Sequence, residues 1–321
     1  MEGKKRMWEN YLFKVPEEKR VRYIIHTDAK NEADDQYTIA HALMTDKLDV
    51  KGIIGGHFAV GNERSGRYPK GTTATESVKE IDKILDLMHL TGKYPVFCGA
   101  QEGIVDEKTP IVTDAAKFIV EEAMKDDPRP LYIGMQGAIT DLACAILMEP
   151  KICERMTCIR NGGGDYPEGE VEFNLMNDVN GANVVFDSAM PVWQVTKSAY
   201  KQFAVSLMEL QVRVRPYGKI GNYLFQQLVD FNTECAKISH WPHGEIWGLG
   251  DEGCIAALMQ ESERKALWED IPAPRFAEDM TYIHNPEKAK KTIRVYKSMD
   301  YRLDLEDLFL KLQVNFPEQD S

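Results

Sequence analysis

Through about residue 195, apolar runs of strand length alternate with stretches whose apolar positions recur at helical spacing. Strands are predicted over 21–25, 48–54, 94–98, 131–133, 156–159 and 192–195. Helices are predicted from Asp34-Asp35 onward and over 75–90, 114–124, 139–147 and about 178–188. Such alternation indicates an α/β fold, a largely parallel open sheet flanked by helices. Residues 58–71, rich in glycine and basic side chains, read as a surface excursion. Beyond residue 200 the spacing is mainly helical (218–238, 251–262, 303–313). A late strand over 292–296 is expected at a sheet edge or in a small extra sheet. No repeat, low-complexity segment or linker divides the chain, so one domain over 1–321 is expected, with 1–20 as an N-terminal extension.

Polar residues gather where the predicted strands stop. Asp28, Glu32, Asp34 and Asp35 lie between the first strand and the first helix, where open α/β sheets hold ligands. Carboxylates so crowded repel once they leave water, and they must take up protons or share a cation. A hard, oxygen-seeking ion such as Ca2+ or Mg2+ answers this. The plainer reading is an acidic first helical turn, each charge worth about 0.3–1 kcal/mol against the helix dipole. Later strands run into His57, Gly134–Gln136 and Asn161–Gly164.

Two further clusters join them. Glu172 and Asn174 flank Phe173. In extended backbone both would face one side, able to fork onto vicinal hydroxyls, with Phe173 opposite in the core; the alternative is a polar turn leading into a helix. Asp251 precedes the apolar run 254–259, where it could cap a helix or complete a metal shell.

Composition narrows the function classes. A net charge of −12 argues against a nucleic-acid surface or a binder of anionic membranes. The six cysteines form no CxxC pair and fall mostly in apolar stretches, as small core residues of a reducing compartment do. No run approaches the ~18 apolar residues of a membrane span, and residues 1–15 hold no apolar run of signal-peptide length. A cytoplasmic location is the expectation.

Taken together, these residues resemble the inosine–uridine-type nucleoside hydrolase superfamily over most of the chain. That family opens with Asp-x-Asp-x-x-x-Asp-Asp after a strand, here Asp28 with Asp34-Asp35. Gln136-Gly137-Ala138-Ile139-Thr140-Asp141 with Met148-Glu149-Pro150, then Gly162–Gly164, Glu172-Phe173-Asn174 and Asp251 follow in the family's order. The resemblance implies a calcium ion (Ca2+) bound by Asp28, Asp35, Asp251 and the Gln136 backbone carbonyl, with Asp34 as general base for the attacking water. It implies that Asn174, with Asp34 and Asp251, holds the ribose 2′- and 3′-hydroxyls, and that Glu172 reaches toward the 5′ end. The expected substrate is a small-molecule nucleoside or related N-riboside, and family members are commonly dimers or tetramers.

Four departures stand out. His26 takes the place of the family's first aspartate. Five residues, not three, separate Asp28 from the Asp34-Asp35 pair, which brings Asn31, a candidate substrate contact, and Glu32 into the loop. Gln136 replaces a common threonine. Gly250 precedes Asp251 where well-studied members carry a histidine that assists base departure. Candidate substitutes for that imidazole are His57, His240, His243 and Trp247, the last also suited to stacking on a base.

The leading expectation is a calcium-dependent N-ribohydrolase. A non-catalytic sugar- or nucleoside-binding protein of the same fold is the alternative. A phosphatase of the haloacid-dehalogenase type would need a second acid two residues after Asp28, where Lys30 stands.

Overall fold

The computed structural model describes residues 8, 10–235, 244–260 and 267–318. Its centre is an eight-stranded sheet. The strands, in chain order, are β1 (Val21–Thr27), β2 (Leu48–Gly55), β3 (Val96–Cys98), β4 (Leu131–Met135), β5 (Met156–Asn161) and β6 (Val192–Val195). After them come β7 (Ala204–Ser206), β8 (Ile246–Gly248), β9 (Trp268–Pro272), β10 (Arg275–Phe276), β11 (Tyr282–Ile283) and β12 (Thr292–Tyr296). The main sheet runs β3-β2-β1-β4-β5-β6-β12-β9, while β10–β11 and β7–β8 form two-stranded ribbons. All its pairings are parallel except β12 with β9.

Alternation along β1 explains its central apolar run, Tyr23-Ile24-Ile25. Tyr23 and Ile25 enter one buried cluster and Ile24 enters the other, on the opposite face. A parallel strand covered on both sides needs such a run.

The chain winds outward from β1 through β2 to β3, then returns to β4 on β1's other side and winds the opposite way. The carboxyl ends of β1 and β4 therefore flank the topological switch point, where the outgoing connections diverge and leave a crevice. Asp28 and Gln136 are the residues immediately after these two ends. The strand ends approach so closely here that a Cβ on Gly137 would come within 2.8 Å of the Asp28 side chain.

The structure departs from the sequence reading in three places. Residues Thr292–Tyr296 lie inside the main sheet, between β6 and the edge strand β9, and not at an edge or in a small extra sheet. The 58–71 excursion contains a helix, Ala59–Ser65, stopped by Gly66 at φ 66°. The part after residue 200 is helical over Gly218–Cys235, Gly253–Met259 and Tyr301–Asn315, but it also supplies the last two strands of the main sheet and both two-stranded ribbons.

Candidate active site

The loop after β1 is short of freedom. The Asn31 N–H donates to the Asp28 carbonyl at 2.7 Å, and Gln36 Nε2 donates to the Ala29 carbonyl at 2.6 Å. Gln227 reaches the Ala33 carbonyl at 2.8 Å and Arg67 the Asn31 carbonyl at 2.7 Å. The two extra residues, Asn31 and Glu32, are thus anchored as part of the cavity wall. The first helix, Asp35–Met44, begins immediately after, and the Asp34 side chain makes no capping hydrogen bond to it. Asp34 is left to face the cavity.

Asp251 arrives from the other end of the chain, in the 3-10 turn Gly250–Glu252. Carboxylate oxygens of Asp34, Asp35 and Asp251 lie within 4.8 Å of one another, all buried. Asp28 lines the same cavity with Gln136, Asn161, Glu172 and Asn174. The gathering expected from sequence therefore exists, without any capping role for Asp251.

Asp35, Asp251 and Glu172 each have a support. Thr27 Oγ1 donates to Asp35 Oδ1 in a short hydrogen bond. Asn161 Nδ2 donates to Asp251 Oδ1 at 2.8 Å. Asn174 Nδ2 donates to the carbonyls of Gln136 (2.8 Å) and Asn161 (3.0 Å), locking β4 and β5 ends together. Glu172 caps the short helix Phe173–Met176. Its carboxylate accepts from the N–H groups of Gly163 (2.8 Å), Leu175 (2.9 Å) and Asn174 (3.1 Å) and from the Tyr200 hydroxyl (3.0 Å). Four donors occupy the roughly four lone-pair directions of a carboxylate. Glu172 is thereby a fixture of the wall. Gly163 can turn its N–H inward because its φ of 88° is open to glycine.

Burial sets the electrostatics. Desolvation first, then repulsion from Asp35, Glu32 and Asp34, holds the Asp28 carboxyl well above the usual range. The same two causes raise Asp34 to about 7. Asp35 rises to about 6, its burial partly offset by the Thr27 hydrogen bond. Asp251 is raised well above its ordinary value by burial and by Asp35. Asp28 Oδ2 is buried with no hydrogen-bond donor. An all-oxygen set of buried carboxylates with an unsatisfied oxygen fits a hard divalent cation.

Some expected contacts are elsewhere. His57 does not line the cavity: it is wholly buried behind it, its Nε2 2.8 Å from Thr140 Oγ1, which in turn donates to Asp178 at 2.6 Å. Trp247 on β8 packs edge-on against Phe231 in the apolar core, 2% exposed, and offers no face to a base. His240 and His243 lie outside the described residues. Phe173 is helical, not extended, and it lines the cavity instead of the core. His26 turns away from the cavity and meets Asp141 at 3.0 Å, so that departure leaves the acidic cluster untouched. Lys30 pairs with Glu80 at 3.0 Å, as a solvated loop cation does.

Asn161, Phe173 and Tyr200 line the cavity without having been singled out as contacts. For Asn161 the signal was available, a carboxamide at a strand end before three glycines. Tyr200 carries none. Its ring occupies the space beside Gly250, where a Cβ would come within 2.9 Å of Tyr200 Cδ2.

The chain is similar to known proteins in sequence and in fold. Residues 23–303 match the family described as inosine-uridine preferring nucleoside hydrolase. A protein of that description from Leishmania major is 28% identical over 136 residues, 41% of this chain and 43% of that protein. The chain thus aligns with less than half the length of that relative. A pyrimidine-specific ribonucleoside hydrolase from Escherichia coli is 23% identical over 255 residues, covering 72% of this chain and 77% of that protein. The solved structure of a purine-preferring ribonucleoside hydrolase from Gardnerella vaginalis superposes with a TM-score of 0.69 at 16% identity, over 92% of this chain and 99% of that one. With the matched span covering most of the chain, the protein belongs to the inosine-uridine preferring nucleoside hydrolase family.

Proposed function

We propose that this chain hydrolyses the N-glycosidic bond of a ribonucleoside or related N-riboside in a calcium-dependent reaction. The observation that supports it most is the convergence of Asp34, Asp35 and Asp251 within 4.8 Å at the switch point of the sheet, beside Asp28. Asp28, Asp35, Asp251 and the Gln136 carbonyl would hold the ion. When bound there, such an ion lowers the pKa of water and fixes sugar hydroxyls.

The chain's own residues do the rest. Asp34, unencumbered by capping, accepts the proton of the attacking water as general base. Asn174 and Asp251 position the ribose 2′- and 3′-hydroxyls, with Asn174 itself set by Glu172. The buried negative field favours the oxocarbenium-like charge that develops on the sugar as the bond to the base breaks. No side chain is required as a covalent nucleophile. Glu172, its lone pairs already filled, acts by positioning.

Gly250, hemmed in by Tyr200, favours a second reading, binding of nucleosides without turnover. A panel of purine and pyrimidine ribonucleosides, incubated with the protein and calcium, separates the two. Release of ribose from at least one, lost in Asp34→Asn with calcium binding kept, supports hydrolysis. Calorimetric binding with no ribose released from any member overturns it.

A further inference from the structure

Behind the cavity, three elements distant in sequence press together a second group of ionisable side chains. His41 comes from the first helix, Glu252 from the turn after Asp251, and Asp304 and Asp307 from the last helix, Tyr301–Asn315. His41 and Glu252 are wholly buried and Asp304 is 1% exposed. His41 Nδ1 lies 2.7 Å from Glu252 Oε2 and 4.0 Å from Asp304 Oδ2. One ligand atom from each of the three falls within 4.8 Å of the others.

Neither Asp304 oxygen receives a hydrogen bond, and neither does Glu252 Oε1. The near neighbour of the Asp304 carboxylate is the Glu252 carboxylate, another acceptor. Two acceptors facing each other out of water need something positive between them.

His41 is set for that role. Its far nitrogen, Nε2, meets Asp307 Oδ2 at 2.9 Å, and Asp307 is itself paired with Lys311, which also donates to Thr45 at 2.9 Å. A carboxylate on one imidazole nitrogen, with the other nitrogen turned to the Glu252 and Asp304 carboxylates, is the arrangement that orients metal-binding histidines. Charge agrees. Against the cost of burial, Glu252 and Asp307 hold the imidazole toward its charged form, at about 9; an ion on Nδ1 displaces that proton and leaves three carboxylates, Glu252, Asp304 and Asp307, against the single positive charge of Lys311. One divalent ion brings that buried group to neutrality.

We propose that His41, Glu252 and Asp304 form a second divalent-cation site, one that takes a zinc- or cobalt-class ion and clamps the first helix, the Asp251 turn and the last helix together. The nitrogen donor sets it apart from the oxygen-only cavity, because imidazole favours zinc-class ions over calcium or magnesium. The ion holds the backbone that carries Asp251 from behind and takes no part in the chemistry in front.

The test uses the full chain in saturating calcium, so that the acidic cavity is filled before Co2+ is added. The wild type is expected to bind one cobalt per chain, with visible absorption and a hyperfine signature from one imidazole nitrogen. His41→Gln removes the nitrogen signature, and Asp304→Asn weakens cobalt binding at least tenfold. Zn2+ raises the melting temperature of the wild type and leaves that of Asp304→Asn unchanged. Should Asp304→Asn fail to fold, the wild-type spectrum decides alone. A wild type that binds no cobalt through nitrogen overturns the proposal. So does an Asp304→Asn protein that melts no lower than wild type regardless of metal, since an amide mimics a carboxyl pair sharing a proton.

Discussion

The backbone N–H of Asp251 donates to Asp34 Oδ2 at 3.3 Å, across 217 residues of sequence. This contact joins the proposed general base to a proposed ion ligand, so that the two cannot move independently. Replacing Asp34 by asparagine keeps the shape and this acceptor while removing the base. The expected result is a fall in kcat of about 10²–10⁴-fold, with calcium affinity changed little. Single-turnover ribose release alongside calcium calorimetry measures both. Retained kcat in Asp34→Asn would remove Asp34 from the role.

Asn161 lines the cavity and holds both Asp251 and the Asn174 carboxamide. Groups that orient a ligand from behind typically cost 10–100-fold in metal affinity when removed. Asn161→Ala is expected to weaken calcium binding by about that factor. Asn161→Asp should do worse, because it adds a carboxylate to an already repelling cluster. Equal calcium affinities in the two variants would contradict this.

Gly250 has no room for a side chain while Tyr200 is in place. Gly250→Ala is expected to destabilise the fold by about 1–3 kcal/mol, the usual range for overpacking. In a Tyr200→Ala background the same change should cost well under half as much, a non-additivity of the kind contacting residues show. Chemical unfolding of the two singles and the double reads this directly, and additive costs would sink the idea.

His57 is held neutral by burial, which pushes its pKa down to about 4 from an ordinary 6.5, against the pull of Asp141 and with that of His26. The unfolded chain therefore takes up a proton at His57 in a window where the folded chain does not. Stability is expected to fall as pH drops from about 6.5 to about 4, by up to about 3 kcal/mol at the acid end. His57→Gln should remove one proton's worth of that slope. Melting temperatures recorded between pH 7.5 and 4.5 for both proteins test it, and parallel profiles would refute it.

Much of the fold was legible because parallel strands covered on both faces carry near-continuous apolar runs, as Tyr23-Ile24-Ile25 and Leu131–Met135 do. The polar strand ends were legible for the same reason: Asp28 and Gln136 stop apolar runs abruptly. What could not be read was direction. His57 and Trp247 look like site residues by chemistry, yet nothing local says which way a side chain points, and both point into packed interior. The rank of Thr292–Tyr296 within the sheet depended on β9, whose sequence WEDIP has two charges and a proline and lacks a strand's apolar signature. Phe173 was misplaced because Glu172 starts a helical turn, where the period of two gives way to 3.6. Tyr200 meets Glu172 from 28 positions away, a pairing that only tertiary structure creates.

The crevice between β1 and β4 draws its donors from segments far apart in the chain, from Asp28 to Asp251. An extended polypeptide offers no such cage, so an ion gripped there binds the native state alone. Its entire binding energy then reappears as resistance to unfolding, about 2.7 kcal/mol when free ion stands a hundredfold above its dissociation constant. Ion supply in the surrounding medium would thus govern how long each molecule survives as well as how fast it works.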